Sequence, residues 1–210
     1  MSDEKLLSQE CKKYNPIAQK ELYEKYNEII MALCYRYTGN MVVAEDLMQD
    51  SLIKVLTKIN KFNWIDNGSF DAWIKKVAVN TCLHYLEKNK KKQEISIESE
   101  NLKFHELISE DDPELHEINI EELNESNNNL DIINNAELSQ EELLGALTQI
   151  PEIFRIIFNL HVIEGIKHQE IARMLKINVK TSKTRLYRAR KLLKKMIYNL
   201  SIEKLKAVQV

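Results

Sequence analysis

The stretch that decides the fold runs from His168 to Met196 and reads HQEIARMLKINVKTSKTRLYRARKLLKKM. Its first half predicts a short helix whose core-facing side is formed by Ile171, Met174 and Leu175. Lys176-Ile177-Asn178 then forms a tight turn that contains one apolar residue, Ile177. Asn178 is the predicted N-cap, because its side-chain carbonyl can accept a hydrogen bond from an amide of the next turn. A second helix should therefore begin at Val179, and the pattern is that of a helix-turn-helix.

The second helix of this motif is strongly basic. Its cations are Lys180, Lys183, Arg185, Arg188, Arg190 and Lys191. The residues predicted to face the protein are Leu186, Ala189 and Leu193, which leaves Lys180, Thr181, Lys183, Thr184 and Arg188 exposed at the N-terminal part. In a helix-turn-helix that part enters the DNA major groove. A solvated helix normally mixes both charges, yet nothing acidic stands between Ile171 and Ile202, so we favour a nucleic-acid partner.

The rest of the sequence predicts an all-α fold. With Gly 4 and Pro 3 among 210 residues, turn signals are too sparse for sheets and hairpins. We expect one apolar helix from Glu142 to Glu164, which provides a core for the motif. Its apolar residues are Leu143, Leu144, Leu147, Ile150, Ile153, Phe154, Ile157, Phe158 and Leu160.

The chain divides into three parts by composition. We predict a helical domain over residues 1–92, an acidic and Asn-rich linker over 93–139, and a C-terminal helix-turn-helix domain over 140–210. The formal net charge of −2 averages an acidic middle and a basic C-terminal part, which is typical of a chain that meets nucleic acid in one place. The linker is either a flexible tether or a negatively charged strand lying where nucleic acid would otherwise run. The sequence leaves both interpretations open.

The sequence indicates no metal, disulfide or membrane site. Cys11, Cys34 and Cys82 are odd in number and widely spaced, and no CxxC or His–Cys pair stands at ligand spacing. This usage favours a reducing cytoplasm and predicts no cofactor. The N-terminus lacks an apolar run behind a basic start, and no stretch is apolar for long enough to span a bilayer. We therefore expect neither secretion nor membrane insertion.

The clearest helix of the N-terminal domain is predicted over Met41–Ile59. Its inward stripe is formed by Ala44, Leu47, Met48, Val55 and Ile59. The other face carries a polar group with an apolar neighbour, formed by Asp46, Gln49, Asp50 and Ile53. An exposed acidic patch of this kind suits a basic protein surface. On these residues alone, an ordinary solvated face is the favoured interpretation.

The segment Lys61–Phe70, KFNWIDNGSF, breaks the helical period, and Ser69 is the predicted cap of a helix from Phe70 to Lys88. The aromatic side chains that can stack on unpaired bases are Phe62, Trp64 and Phe70. The cations that can follow a phosphate backbone are Lys75, Lys76, Lys88, Lys90, Lys91 and Lys92. Burial in the core is the commoner fate of aromatics at helical spacing. We favour burial in the core for Trp73, whereas for Trp64 burial and stacking on a base are equally favoured.

Three runs together resemble a known family, the extracytoplasmic-function (ECF) sigma factors, which are compact bacterial sigma subunits of RNA polymerase. AEDLMQDSLIKVL at Ala44–Leu56 is similar to the family's polymerase-binding helix. SFDAWIKKVAVNTCLHYL at Ser69–Leu86 is similar to its promoter-melting helix. The run IPEIFRIIFNLHVIEGIKHQEIARMLKINVKTSKTRLYRAR at Ile150–Arg190 is similar to its second DNA-binding domain. Their order and separation are more specific than any run alone.

The resemblance implies a cytoplasmic factor that binds core RNA polymerase, recognises two promoter elements and helps to open the duplex, with no enzyme activity. It implies that Asp46, Gln49 and Asp50, with Ile53 beside them, contact the clamp helices of the polymerase's largest subunit. With the resemblance, a contact surface for a protein becomes the favoured interpretation of this patch, in place of an ordinary solvated face. The further partners implied are the polymerase flap region, promoter DNA and an anti-sigma factor, with no small-molecule substrate.

The same resemblance assigns two DNA-binding sets. The loop Asn63–Gly68 would hold a base flipped from the minus-ten element. The minus-ten set takes Asn63, Trp64, Asp66 and Asn67 from this loop and Phe62 from just before it. The groups that would follow the melted strand are Lys75, Lys76, Asn80 and the run Lys88–Lys92. The groups that would read or grip the minus-thirty-five element are Lys180, Thr181, Lys183, Thr184, Arg185 and Arg188. Arg and Lys can contact bases or phosphates, so the sequence does not separate the two kinds of contact.

Two other classes of function stay open. A self-sufficient regulator that binds an operator as a dimer explains the helix-turn-helix, but it leaves the Asp46 patch and the aromatic loop unexplained. A metal-dependent nuclease would use Glu45, Asp46 and Asp50 as ligands for Mg²⁺. This second class is disfavoured because Glu45 points away from Asp50 on a helix and no His or Lys is placed to activate water.

Overall fold

The structure of the chain is a computed structural model that describes residues 3–94 and 137–208, without the side chains of 90–94 and 207–208. The described residues form helices and short turns and contain no strand, so the prediction of an all-α fold is confirmed. They fall into two compact units, one on each side of the acidic segment. Residues 95–136, which make up most of the predicted linker, lie outside the described residues.

The N-terminal unit contains four α-helices and one short 3₁₀ turn. In chain order these are α1 (Asp3–Lys12), α2 (Pro16–Thr38), α3 (Met41–Lys58), the 3₁₀ turn (Ile59–Lys61) and α4 (Ser69–Glu94). Local chemistry fixes the start of α2, because Asn15 accepts a hydrogen bond from the Ile17 amide at 3.0 Å and Pro16 follows at the first helical position. Gly39, at φ 66°, ends α2 in the left-handed conformation. Asn40 then caps α3.

The core of the N-terminal unit lies between α2, α3 and α4. Its largest fully buried side chains are Leu22, Tyr26, Ile30, Tyr37, Val55, Ile59, Phe70 and Ile74. The stripe predicted on α3, from Ala44 to Ile59, is buried as expected. Cys11, Cys34 and Cys82 are buried free thiols in the same core. This packing leaves the opposite face of α3 and one side of α4 exposed.

The described residues of the C-terminal unit form four more α-helices. They are α5 (Gln140–Gln149), α6 (Glu152–Phe158), which continues into a π-helical turn (Asn159–Ile163), α7 (His168–Leu175) and α8 (Val179–Val208). A capping box opens α5, because Ser139 and Glu142 exchange hydrogen bonds through their side chains and backbone amides. Lys204 reaches back from α8 to Glu142 at 2.7 Å and thereby joins the two ends of the unit.

The prediction of one helix from Glu142 to Glu164 is wrong. Ile150 adopts an extended backbone (φ −70°, ψ 148°) because the following Pro151 disfavours the helical conformation of the residue before it. The buried guanidinium of Arg155 donates hydrogen bonds to the carbonyls of Thr148 and Ile150, which face this break. The break lets α5 and α6 pack against α8 from different directions, with Leu147, Ile150 and Phe154 meeting Ala189 in the core.

The helix-turn-helix prediction is confirmed in its details. Lys176 takes the left-handed conformation (φ 55°) at the corner, and the Ile177 amide bonds back to the Ala172 carbonyl at 3.0 Å. Asn178 caps α8 by accepting a hydrogen bond from the Thr181 amide at 2.6 Å, and α8 begins at Val179 as predicted. On α8, the side chains predicted to face the protein do so: Leu186 and Ala189 are buried and Leu193 packs on the core.

We expect Asn178→Ala to lower the free energy of unfolding of the C-terminal unit by about 1 kcal/mol, because α8 loses the acceptor for an otherwise unpaired amide. Urea denaturation followed by amide exchange in α8 measures this change. Asn178→Asp retains an acceptor at the cap and serves as the matched control. An equal loss of stability in both variants would show that the cap does not account for the effect.

Candidate nucleic-acid and protein interfaces

One exposed face of α3 carries the group that the sequence predicted. We call Asp46, Gln49, Asp50 and Ile53 the α3 patch. Asp46 and Gln49 are exposed, Asp50 is half-buried, and the apolar side chain of Ile53 is 60% exposed. Asp50 pairs with Lys54 at 2.6 Å, and Lys54 lies 3.4 Å from the hydroxyl of Thr81 on α4. The patch therefore sits on a helix whose surface is tied to its neighbour.

The α3 patch does not resemble a metal site. Among the residues that the structure describes, no three His, Cys, Asp or Glu side chains are arranged to hold a metal ion. Glu45 is exposed, but it lies on another side of the helix from Asp50. The two residues are five positions apart, which at about 100° per residue places them about 140° apart around the helix axis. An exposed isoleucine among carboxylates is instead a composition typical of the contact surface for a protein.

The loop between the 3₁₀ turn and α4 is anchored by a buried aromatic ring. Phe62 is 3% exposed, and its ring lies 5.0 Å from that of Phe70 and 5.4 Å from that of Trp73. Phe70 is fully buried as well. Both rings are packed in the core and offer no accessible face on which a base could stack. This packing agrees with core burial, the commoner fate expected for Phe70, and disagrees with the inclusion of Phe62 in the minus-ten set. The prediction that Trp73 belongs to this packing is confirmed, with its ring half-buried.

The outer surface of the same loop is polar, with one aromatic side chain beside it. Trp64 is half-buried and touches Phe62 edge-on, at 6.5 Å between ring centroids, so part of its surface stays accessible. The exposed loop residues are Asn63, Ile65, Asp66 and Asn67. This loop combines one stacking surface with several polar edges, which is the chemistry that an extruded base requires.

Ser69 organises this loop rather than capping α4. The helix already begins at Ser69, and the Ala72 amide bonds to the carbonyl of Gly68 at 2.9 Å. The Ser69 hydroxyl donates to the carbonyl of Asp66 at 2.7 Å and accepts from the Ile65 amide at 3.4 Å. The predicted cap is thus wrong by one residue, because the hydroxyl is used to close the loop. Gly68 stands at φ 88°, where a side chain would be strained.

One side of α4 carries polar residues at four-residue spacing. The exposed positions are Lys76, Asn80, His84 and Lys88. Lys75 is half-buried and pairs with Asp71 at 2.7 Å, so a phosphate would have to compete with that carboxylate. The side chain of Lys90 lies outside the described residues, as do those of Lys91 and Lys92. The sequence prediction missed His84, although its spacing from Asn80 places it in this row.

The N-terminal part of α8 presents the groups predicted for DNA. Lys180 and Lys183 are exposed, whereas Thr181, Thr184, Arg185 and Arg188 are half-buried. Burial lowers the pKa of the Arg185 guanidinium from its ordinary value, although an arginine keeps its proton throughout the physiological range. The two exposed lysines therefore form the most accessible positive charge at the start of this helix.

Comparison with known proteins identifies the family. Residues 22–92 match the family model Sigma-70 region 2, and residues 140–193 match Sigma-70, region 4. ECF RNA polymerase sigma factor SigW of Bacillus subtilis (strain 168) is 28% identical over 199 residues, which are 91% of this chain and 95% of that protein. The chain belongs to the ECF sigma factors. It is an alternative sigma factor, a class of transcription initiation factor.

One further relative and one solved structure are similar to this ECF sigma factor. ECF RNA polymerase sigma factor SigM of Bacillus subtilis (strain 168) is 22% identical over 182 residues, covering 87% of this chain and 96% of that protein. A solved structure of the sigma factor RpoE with the anti-sigma factor NepR from Bartonella quintana matches at 20% identity and a TM-score of 0.48, covering 84% of this chain and 94% of that one.

The two family matches divide the surface features of this sigma factor. The α3 patch, the loop and the exposed side of α4 lie in the region 2 match, and the start of α8 lies in the region 4 match. Helix α1 and the end of α8 lie outside both. None of the described helices is both long and apolar enough to cross a membrane.

A partly buried hydrogen bond that the sequence prediction missed positions α8 of this sigma factor against α7. Ser182 on α8 is fully buried, and its hydroxyl lies 2.9 Å from Nδ1 of His168 at the start of α7. The His168 ring stacks on that of His161 at 4.1 Å. Burial first, and then the neighbouring His161, lower the pKa of His168 and favour the neutral ring. This hydrogen bond holds α8 against α7. In the sequence, the position of His168 at the start of the motif was the only sign of the contact.

Proposed function

We propose that this ECF sigma factor binds core RNA polymerase through the α3 patch and delivers it to promoters with two separate DNA elements. The α3 patch would meet the clamp helices of the largest polymerase subunit. The loop after the 3₁₀ turn would hold a base of the minus-ten element, and the start of α8 would bind the minus-thirty-five element. The chain itself performs no covalent step, because binding energy alone opens the duplex.

The observation that carries this proposal is the α3 patch. Ile53 is exposed at the C-terminal end of an acidic and polar helix face, beside Asp50 and Gln49, and a partner that offers basic groups next to an apolar contact would cover it. A self-sufficient regulator has no use for such a face, nor for the polar loop beside Trp64. Both features are accounted for when a large protein partner holds the chain on DNA.

On the minus-ten side, Trp64 would provide the stacking surface for a base. Hydrogen bonds to the edge of that base would come from the polar loop residues Asn63, Asp66 and Asn67. The strand leaving the loop would pass along α4, where Lys76, Asn80 and Lys88 are exposed and Lys75 would exchange its carboxylate partner for a phosphate. The assignment of Lys90 rests on the sequence alone.

On the minus-thirty-five side, α8 would enter the major groove with its first turns. The residues proposed to contact DNA there are Lys180, Thr181, Lys183, Thr184, Arg185 and Arg188. The helix N-terminus adds a favourable electrostatic contribution, because its first amides point toward the groove and its phosphates. The exposed lysines suit phosphates, and the half-buried threonines and arginines are held more firmly, which suits base edges.

We propose a working division into a domain over residues 1–92, an acidic linker over 93–139 and a domain over 140–210. Each domain would bind DNA weakly alone, and the polymerase, through its clamp and flap regions, would hold both at the promoter spacing. The negative charge of the linker suits the path that RNA takes through the enzyme. The chain would act in the cytoplasm, and an anti-sigma factor that covers the same surfaces would keep it inactive.

The test is binding and transcription on promoter DNA melted in advance at the minus-ten region, with the protein alone, core polymerase alone and both together. We expect specific transcription only with both components. The variant Asp46→Ala/Asp50→Ala should bind core polymerase about tenfold more weakly, the effect of losing about 1.4 kcal/mol of contact energy. Transcription at limiting polymerase should fall in parallel.

Glu24→Ala/Glu28→Ala is the matched control, because it removes two exposed carboxylates from α2 of the same unit. Each double variant also removes one helical ion pair, Asp50–Lys54 in the first and Lys20–Glu24 in the second. Equal losses in both variants would indicate a general charge effect and remove the α3 patch from the proposal. Tight, specific binding of the protein alone to duplex DNA, unchanged by polymerase, would favour the self-sufficient regulator.

A further inference from the structure

Helix α1 contacts both ends of the loop that carries Trp64. At the first end, the ammonium of Lys12 donates a hydrogen bond to the carbonyl of Phe62 and lies 5.7 Å from the centroid of its ring. At the second end, a carboxylate oxygen of Glu4 accepts a hydrogen bond from the amide of Gly68 at 3.1 Å. The loop of residues 63–67 is therefore held between two charged side chains of one helix.

Two further contacts hold the N-terminal segment in place beside the loop. The other carboxylate oxygen of Glu4 lies 3.8 Å from the ammonium of Lys25 on α2, and the Glu4 side chain is mostly buried. Just beyond α1, the hydroxyl of Tyr14 accepts a hydrogen bond from the amide group of Asn60 at 3.0 Å, in the 3₁₀ turn before the loop. The N-terminal segment thus meets the loop and its approach at three points, each far away along the chain.

The geometry of these contacts sets the distance between the loop ends. Glu4 and Lys12 lie about two turns apart on α1, a separation of about 12 Å along its axis. A rigid helix that bonds to both ends of a loop removes much of the loop's conformational freedom before any ligand arrives. The entropic cost of capturing a base is then lower, since the loop is already ordered.

We propose that Glu4 and Lys12 are positioning residues that hold the loop ready for a minus-ten base and thereby raise promoter discrimination. This inference rests on the proposed function of the loop as the base-binding element. Neither residue touches DNA in this arrangement, because Glu4 acts through the Gly68 amide and Lys12 through the Phe62 carbonyl. The recognition element would therefore extend beyond the region 2 match, to a helix that precedes it.

The test compares Glu4→Ala/Lys12→Met with Asp3→Ala/Lys13→Met. The control removes the same charges one position away, at residues that are exposed. Promoters are first selected by the wild-type holoenzyme from a library with randomised elements, and transcription is then measured on the selected minus-ten sequence and on single-base changes of it. We expect the ratio between these templates to fall by about tenfold in the test variant, as for one lost hydrogen bond to a charged group, and to stay within about twofold in the control.

Two further measurements separate the possible outcomes. Amide exchange of peptides covering residues 62–70 should become faster in the test variant, while exchange in α3 and binding to core polymerase stay unchanged. Asn67→Ala, in the loop itself, tests the function on which this inference rests. If Asn67→Ala lowers discrimination and the α1 variant does not, the positioning role is refuted. If neither variant changes discrimination, the proposed function of the loop fails together with the positioning role.

Discussion

Phe154→Ala should remove a large part of the stability of the C-terminal unit while the N-terminal unit stays folded. Phe154 lies where α5, α6 and α8 meet, packed with Leu147, Ile150 and Ala189. Truncating a buried phenylalanine to alanine costs about 3–5 kcal/mol, from lost transfer energy and the cavity left behind. A unit of this size has a total stability of about 4–10 kcal/mol, so the expected loss is comparable with the whole.

Two measurements follow the two units separately. Amide exchange in peptides from α6 and α8 should be much faster in the variant than in the wild type. Tryptophan fluorescence reports only the N-terminal unit, because both tryptophans, Trp64 and Trp73, lie there, and its unfolding transition should not move. Leu143→Ala is the control, since Leu143 lies in α5 and is 40% exposed, and should cost about 1 kcal/mol or less. Wild-type protection of α8 in the Phe154 variant would contradict the packing described for this core.

The features predicted correctly from the sequence are those determined by neighbouring residues. The cap at Asn178 and the start of α8 at Val179 depend on chemistry within one helical turn, and the buried stripe of α3 depends on the helical period. The break before α6 is equally local, since Pro151 disfavours a helical Ile150. It was missed because apolar residues continue on both sides and outweighed the proline in the prediction.

Other features depend on contacts between distant parts of the chain, which no local pattern encodes. Phe62 stands in a polar loop, and only its packing on Phe70 and Trp73 reveals that its ring is buried. The bond between Glu4 and Gly68 joins residues that are 64 positions apart in the chain. The hydrogen bond between His168 and the buried Ser182 depends on how α7 packs against α8. The sequence therefore predicts which surfaces are available, whereas the structure defines which residues hold them in place.

The second large effect should be seen on α8. We expect Lys180→Ala/Lys183→Ala to weaken binding to promoter DNA by about 60-fold at about 0.1 M salt. Each phosphate contact changes log K by about 0.9 for every tenfold change in salt, so two contacts account for about 1.8 log units between about 0.1 M and 1 M. The slope of log K against log salt should fall by about 2, and the affinities of the variant and the wild type should converge as salt approaches about 1 M. Holoenzyme binding to a duplex that carries the minus-thirty-five element measures both quantities.

Lys195→Ala/Lys206→Ala is the control for the loss of charge, because it removes two exposed lysines from the same helix. Lys195 lies about 22 Å along the helix axis from Lys180, which is beyond the screening length of about 10 Å at this salt concentration. The control should therefore change affinity and slope only slightly, and equal effects would show that the overall charge of α8 matters rather than its first turns. A second duplex, in which the minus-thirty-five element is scrambled, distinguishes contacts to phosphates from contacts to base edges. If both lysines bind phosphates, the variant loses affinity equally on both duplexes, whereas a larger loss on the promoter would assign them to base edges.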